Sequence, residues 1–311
     1  MPALRISIVQ YLNTAPLVRG FTHGPLRGKY DLSFTVPSQC AEALRSGAAD
    51  IAIIPAIEYQ RIPNLVILPD LSIASRERVR SLLVLSKVPI RKARSIALDT
   101  SSRSTQALTR ILCDKRWNIA PEFQQAAPQI PEMLRSADAA MVIGDPALRI
   151  AIAAEACARP GADREIVCAG KTAGLPEFPE LHIYDVVNEW WHLTERPAVL
   201  AVWAARPEIA TPGLADEFLA SLEFGMDHLR EICAEAGHEL GLPRKELELY
   251  LRTNIDYSLD DANRKGLLAY YSHAYRLGLL EKLNPISIAA RTGVPARSID
   301  FSWLQSSASS R

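Results

Sequence analysis

The chain is short of most features that mark the common specialised classes of protein. Neither sign of charge dominates, since Lys plus Arg and Asp plus Glu each number 35 in 311 residues. A basic field for nucleic acid or for an anionic membrane is therefore missing, and any bound anion needs a local site. Apolar runs such as Ala198 to Ala205 fall far short of the roughly 20 residues that span a bilayer. The start, Met1-Pro2-Ala3-Leu4-Arg5, passes at once into an extended pattern, so no secretory leader is expected. The five cysteines (Cys40, Cys113, Cys157, Cys168, Cys233) are odd in number and form no CxxC pair. That argues against a zinc site or a disulfide framework and for free thiols in a reducing cytoplasm. The six histidines lack HxxxH or HExxH spacing, so no metal is expected. GxSxG, P-loop and GxGxxG motifs are missing too, which removes the common hydrolase, ATPase and dinucleotide signals.

What is present is an ordinary globular composition, 48% hydrophobic and 23% charged, in a chain long enough for two lobes. Strands are expected at 5–9, 31–36, 49–54, 81–86, 95–99, 139–143, 183–185 and 197–204, with a brief extended piece at 66–70. Helical spacing follows most of them, and from Leu214 onward the pattern is helical. Such alternation predicts an α/β protein with mostly parallel sheets. The nearly all-apolar runs 82–86 and 198–204 flank a central block with strand–helix cycles of its own. Lobe 1 is expected to be 1–87 plus 198–311, with the late helices packing on it, and lobe 2 to be 88–197. That topology resembles the type II periplasmic binding proteins, whose ligands lie in the cleft between lobes. The tail, 306–311, is polar and expected to be disordered.

Several strand-to-helix turns carry polar groups. In Tyr11-Leu12-Asn13-Thr14-Ala15-Pro16, the first strand is followed by an amide side chain, a helix-capping Thr14 and a first-turn proline. Thr100-Ser101-Ser102-Arg103-Ser104-Thr105 offers five hydroxyls and a guanidinium at a helix start, suited to a carboxylate or phosphate. A plain serine-rich cap explains it about as well. Asp145 follows Gly144; capping its helix is its commoner role, accepting from a ligand hydroxyl the alternative. Ser81 opens a buried strand, and Glu58 and Tyr59 read as helix-face residues. Trp190, Trp191 and Trp203 are expected in the core or in packing between lobes. The stretch 288–295 has a superficial helix-turn-helix look, but its modest charge argues against nucleic acid as a partner.

Taken in order, these turns resemble the chorismate dehydratases of the futalosine route to menaquinone. The resemblance rests on Tyr11-Leu12-Asn13-Thr14-Ala15-Pro16-Leu17, Leu68-Pro69-Asp70-Leu71-Ser72-Ile73, Ser101-Ser102-Arg103-Ser104, Ile143-Gly144-Asp145-Pro146-Ala147-Leu148-Arg149 and Ala201-Val202-Trp203-Ala204-Ala205-Arg206. It extends from about residue 5 to about residue 283. It implies a periplasmic-binding-protein-like enzyme without metal or organic cofactor, acting on chorismate in the cytoplasm, with no membrane partner; it leaves the oligomeric state open. By position it implies Asn13 and Ser81 as catalytic residues. Thr100, Ser101, Ser102, Arg103, Ser104, Gly144 and Asp145 are expected to bind the substrate. The chain departs from the family where Arg76-Glu77-Arg78-Val79 stands for a common Asp-Gly-Pro-Val, and where Thr194-Glu195-Arg196-Pro197 stands for Thr-Gly-Leu-Pro. Two alternatives stay open: a non-catalytic small-anion binding or sensing protein, and the sister 1,4-dihydroxy-6-naphthoate synthase, which would place a histidine at its site.

Overall fold

A computed structural model describes residues 3–156, 159–160 and 165–301. Cys157 and the tail at 306–311 lie outside the described residues. The chain divides into two compact units, the first from the described parts of Met1–Ala74, Val199–Glu235 and Asp256–Arg311, the second from Ser75–Ala198 and Ala236–Ile255.

The first unit starts with β1 (Arg5–Val9), α1 (Ala15–Thr22), β2 (Asp31–Thr35), α2 (Pro37–Ser46), β3 (Ile51–Pro55), α3 (Ala56–Tyr59) and β4 (Val66–Ser75). Prolines sit in the first turns of α1 and α2, where a missing N–H costs nothing. The second unit follows with β5 (Leu82–Ser86), β6 (Ser95–Asp99), α4 (Arg103–Leu112), β7 (Glu122–Ala126), α5 (Ile130–Ser136), β8 (Ala139–Ile143), α6 (Gly144–Glu155), β9 (Arg159–Pro160), β10 (Ile166–Cys168), β11 (Leu181–Asp185) and α7 (Val186–Thr194). The chain then forms β12 (Ala198–Ala205), α8 (Pro212–Asp227) and α9 (Leu229–Leu240). Next come α10 (Arg244–Leu249), α11 (Asp261–Arg276) and the short strands β13 (Ile286–Ile288) and β14 (Arg297–Ile299).

Each unit is built on one sheet, ordered β14-β13-β4-β12-β3-β1-β2 in the first and β7-β6-β8-β5-β11-β10-β9 in the second. The two share a plan. Parallel β2-β1-β3 is continued by β12, antiparallel to β3; parallel β7-β6-β8 is continued by β5, antiparallel to β8. The sheets are thus mixed rather than mostly parallel. The inserted strands β5 and β12 are buried along their whole length, as are β3 and β8, which explains their unbroken apolar sequences.

The first unit boundary falls at 74/75 rather than at the expected 87/88, while the second, at 198/199, lies one residue from the expected 197/198. β5 belongs to the second unit because it is hydrogen-bonded on both sides there, Leu82 opposite Ile143 and Leu83 opposite Asp185. The stretch Ala236–Ile255, which holds the end of α9 and all of α10, also belongs to that unit rather than to the first. β4 runs on to Ser75, twice the expected length, and β7, β13 and β14 were not expected at all. β7 is a half-exposed edge strand of sequence EFQQA, which lacks the apolar alternation that reveals strands. The stretch 288–295 begins in β13 and closes in a turn between Arg291 and Val294, so it is no helix-turn-helix.

Trp190 and Trp203 are core as expected, whereas Trp191 is half-buried and Phe34 and Tyr275 are exposed. Phe218 packs against Phe21 (4.8 Å) and Trp203 (4.9 Å) in the first unit, and Trp117 packs against Tyr184 (5.8 Å) in the second. Trp190 is buried and donates from Nε1 to the Pro197 carbonyl (3.2 Å). Cys40, Cys113, Cys168 and Cys233 are buried and in no disulfide, and burial pushes Cys113 up to about 12. Among the described residues no helix is long and apolar enough to cross a membrane.

The departures near 76 and 194 are built into the second unit. The Ser75 hydroxyl donates to the Arg78 carbonyl (2.7 Å), Asn188 Nδ2 donates to the Glu77 carbonyl (3.0 Å), and Arg78 pairs with Glu155. Glu195 ends α7 in the left-handed region, φ 53°, where a glycine would be at ease. Glu195→Gly is therefore expected to stabilise the protein by up to about 1 kcal/mol, seen as a higher denaturant midpoint.

Candidate functional site

Strand direction brings most of the expected residues together. In the second unit β6 and β8 run parallel and β5 runs against them, in the adjacent order β6-β8-β5. The carboxyl ends of β6 and β8 therefore lie at the same sheet end as the start of β5. Thr100 to Ser104 follow β6, Gly144 and Asp145 follow β8, and Ser81 precedes β5. The Gly144 N–H donates to the Ser81 carbonyl (2.8 Å), which ties two of these turns directly. Gly144 holds φ 73°, a conformation that a side chain would strain. The expectation that Asp145 caps α6 is not met: Ile143 occupies the cap position without a side-chain bond, and Asp145 lies in the first turn, where its charge suits the helix dipole.

The hydroxyl turn is largely bonded to itself. Ser101 donates from both N–H (2.8 Å) and Oγ (2.6 Å) to Asp99 Oδ1 at the end of β6. Ser102 caps α4, accepting from the Thr105 N–H (3.4 Å) and donating to Thr105 Oγ1 (2.8 Å). Two of the hydroxyl protons expected to face a ligand thus point inward and shape the turn. Arg103 and Ser104 lie in the first turn of α4, at the amino end of its dipole. Burial pushes the Asp99 carboxyl up, against the pull of the Ser101 donors. Asp99 was not singled out in the sequence, although an aspartate two residues before a serine at a strand end is the pattern of an Asx-turn.

Ser81 is fully buried, and its Oγ accepts from the Tyr250 hydroxyl (2.8 Å). The residues ahead of it are fixed by Asp185 at the end of β11. Asp185 Oδ2 accepts from the N–H groups of Val79 (3.0 Å) and Arg80 (2.6 Å), while Oδ1 accepts from Val187 (2.9 Å) and Asn188 (3.1 Å) at the start of α7. Burial pushes this carboxyl up, and those N–H groups pull it back. Nothing local to Ser81 in the sequence points to Tyr250 or Asp185.

Asn13 belongs to the first unit, at the carboxyl end of β1, in a single 3-10 turn, Leu12–Thr14, that leads into α1. Its place after the first strand of its sheet's parallel trio matches that of the hydroxyl turn after β6. Asn13 is buried, and its Oδ1 accepts from Thr14 Oγ1 (3.3 Å). Thr14 occupies the cap position of α1 without making the expected side-chain cap bond. The Asn13 NH2 group is thus the donor that this side chain offers a ligand. Glu58 is structural as expected: fully buried, it pairs with Arg45 and with Arg61 (2.9 Å). Among the described residues no cluster of His, Cys, Asp or Glu is arranged to hold a metal. His182 lies in β11 against Glu165 (3.2 Å), and no histidine sits at the turns that carry the candidate residues.

A two-sheet mixed α/β plan with polar strand-to-helix turns defines a periplasmic-binding-protein-like fold, and solved structures agree. A protein from Archaeoglobus fulgidus superposes with TM-score 0.67 at 15% identity, covering 89% of this chain and 98% of that one. The alkanesulfonate-binding protein of Xanthomonas axonopodis pv. citri, bound to MOPS, does so with TM-score 0.60 at 17% identity, covering 90% and 95%. The chain belongs to the menaquinone biosynthesis family, whose sequence pattern matches residues 4–276. The chorismate dehydratase of Thermus thermophilus is 29% identical over 280 residues, covering 88% of this chain and 95% of that protein.

Proposed function

We propose that this chain is a chorismate dehydratase, a cytoplasmic hydro-lyase of the futalosine route that converts chorismate to 3-[(1-carboxyvinyl)oxy]benzoate and water. The observation that carries the reading is the gathering of Ser81, the Ser101–Ser104 turn and Gly144 at one end of three adjacent strands, in a chain similar almost throughout to a chorismate dehydratase.

Chorismate's ring carboxylate is conjugated to a ring double bond, so the C3 hydrogen is vinylogously acidic. Breaking C3–H leaves a dienolate-like carbanion, and breaking C4–O expels hydroxide, which takes up the proton released from C3 and leaves as water. The ring becomes aromatic, which supplies the drive. Catalysis then needs donors that hold two carboxylates and steady the charge spreading onto one of them. Ser104, Arg103 and the amino end of α4 hold one carboxylate, with Thr100, Ser101 and Ser102 shaping that turn. Ser81 serves the other, Gly144 and Asp145 border the substrate, and Asn13 donates to the departing hydroxyl. The enolpyruvyl carboxylate of the substrate takes the C3 proton.

Incubating the purified protein with chorismate is expected to give a product lighter by one water, followed by mass spectrometry, without added metal. Binding without conversion would instead make the chain a small-anion binding protein. Neither binding nor conversion would leave the sister synthase as the reading.

A further inference from the structure

A serine hydroxyl rotates freely unless something holds it, and Ser81 is held. Tyr250 and Ser81 are almost completely buried, at 1% and 0% exposure, and their oxygens lie 2.8 Å apart. A phenol is the more acidic hydroxyl of the pair, so Tyr250 is the donor, and the Ser81 proton is left to point elsewhere. The neighbouring residue is gripped from the same segment. Arg80, also buried, pairs through Nη2 with Glu246 Oε2 (2.7 Å) and Glu155 Oε2 (2.9 Å). Glu246 and Tyr250 are four residues apart on α10 and the π-turn Tyr250–Asn254 that continues it, so they share a helix face. Consecutive side chains of an extended strand point to opposite faces. Arg80 breaks that alternation by holding φ 65°, so that Arg80 and Ser81 both meet one helical face. A left-handed arginine is strained, and Asp185 fixes it by accepting the N–H groups of Val79 and Arg80. π-turns inside helices are themselves frequent at functional sites.

We infer that Tyr250, braced by the Arg80–Glu246 pair, is a positioning residue that aims the Ser81 hydroxyl proton at the substrate. The inference rests on the proposed dehydration and on Ser81 acting in it. Tyr250 touches Ser81, and its effect on turnover passes through that hydroxyl.

The test is a double-mutant cycle on the full-length protein with chorismate as substrate. Tyr250→Phe keeps the ring and removes the hydroxyl; kcat is expected to fall about tenfold to a hundredfold with KM changed less than about twofold. Once Ser81→Ala has removed the target, adding Tyr250→Phe is expected to cost no further turnover. Glu246→Gln weakens the brace without touching Ser81 and is expected to lower kcat by about threefold to tenfold, again without raising KM. A wild-type kcat in Tyr250→Phe beside an impaired Ser81→Ala overturns the inference and leaves the proposed function standing. Multiplying losses in the double variant overturn it as well, because Tyr250 would then act independently of Ser81. Full turnover in Ser81→Ala overturns both the inference and the site on which it rests.

Discussion

Ser81→Ala is expected to lower kcat for chorismate by about a hundredfold or more, the scale seen when one pre-aimed donor is removed from a site that steadies developing negative charge. A hundredfold is about 2.7 kcal/mol of transition-state stabilisation. The variant also removes the Tyr250–Ser81 hydrogen bond, which costs about 0.5–1.5 kcal/mol of stability. The protein nonetheless stays folded at assay temperature, because the Ser81 carbonyl still accepts from Gly144 and Asp185 still fixes the residues before it. Asn13 allows a sharper distinction. Asn13→Asp keeps an oxygen to accept from Thr14 and loses the NH2 donor. If Asn13 donates to the leaving hydroxyl, Asn13→Asp is expected to be as slow as Asn13→Ala, both by about a hundredfold. An active Asn13→Asp enzyme would show that the residue only closes the turn into α1. The measurement is kcat and KM beside a denaturation curve for each variant.

The second large effect is expected far from any reacting atom. α1 and α8 cross so closely that a side chain on Gly225 would place Cβ 1.9 Å from the Pro16 carbonyl oxygen and 2.8 Å from Pro16 Cα. At the next contact a Cβ on Gly20 would come 2.6 Å from Ser221 Cα, and the Ser221 hydroxyl donates to the Leu17 carbonyl (2.8 Å) while accepting from the Gly20 N–H (3.1 Å). These neighbours are backbone, so no side chain can swing aside. Overpacking costs about 1–3 kcal/mol where side chains can adjust; Gly225→Ala, which must move α1 itself, is expected to cost about 3 kcal/mol or more. Pro16 stands three residues after Asn13, so any shift of α1 carries the Asn13 turn with it and lowers kcat beyond what unfolding explains. Urea unfolding measures the first effect and kinetics on the folded fraction the second. An unchanged midpoint would show that the helices part cheaply, and the tight crossing would then have no energetic weight.

The candidate residues were legible because their signals are local. Hydroxyl-rich or amide-bearing turns after apolar strands announce themselves within six residues, and the resemblance to chorismate dehydratases lies in such short pieces. What those residues do was less legible. The Thr100–Thr105 turn reads as a set of donors, yet Ser101 spends its proton on Asp99 and Ser102 spends its own on Thr105. Composition shows how many hydroxyls there are and not where their protons point. Thr14 and Asp145 have the right types for helix caps, yet Thr14 makes no side-chain cap bond and Asp145 stands inside the first turn of α6, with Ile143 at the cap position, because a 3-10 turn at Asn13 and a left-handed glycine at Gly144 set those helix starts.

The sequence by itself determined where β1, β5, β6, β8 and β12 lie, since apolar periodicity and unbroken apolar runs are properties of neighbouring residues. It also determined the family, the type of chemistry that its turns can offer, and the absence of a motif for metal or nucleotide. The tertiary structure alone decided that β5 and β12 enter their sheets antiparallel, and that β5 belongs to the second unit. It alone decided that Gly225 meets Pro16 and that Arg80 and Ser81 meet Glu246 and Tyr250. The Ser81–Tyr250 bond joins residues 169 apart in the chain. No local pattern records such a pair, because each partner's own segment would form its strand or helix equally well without the other; the contact exists only once the second unit has packed.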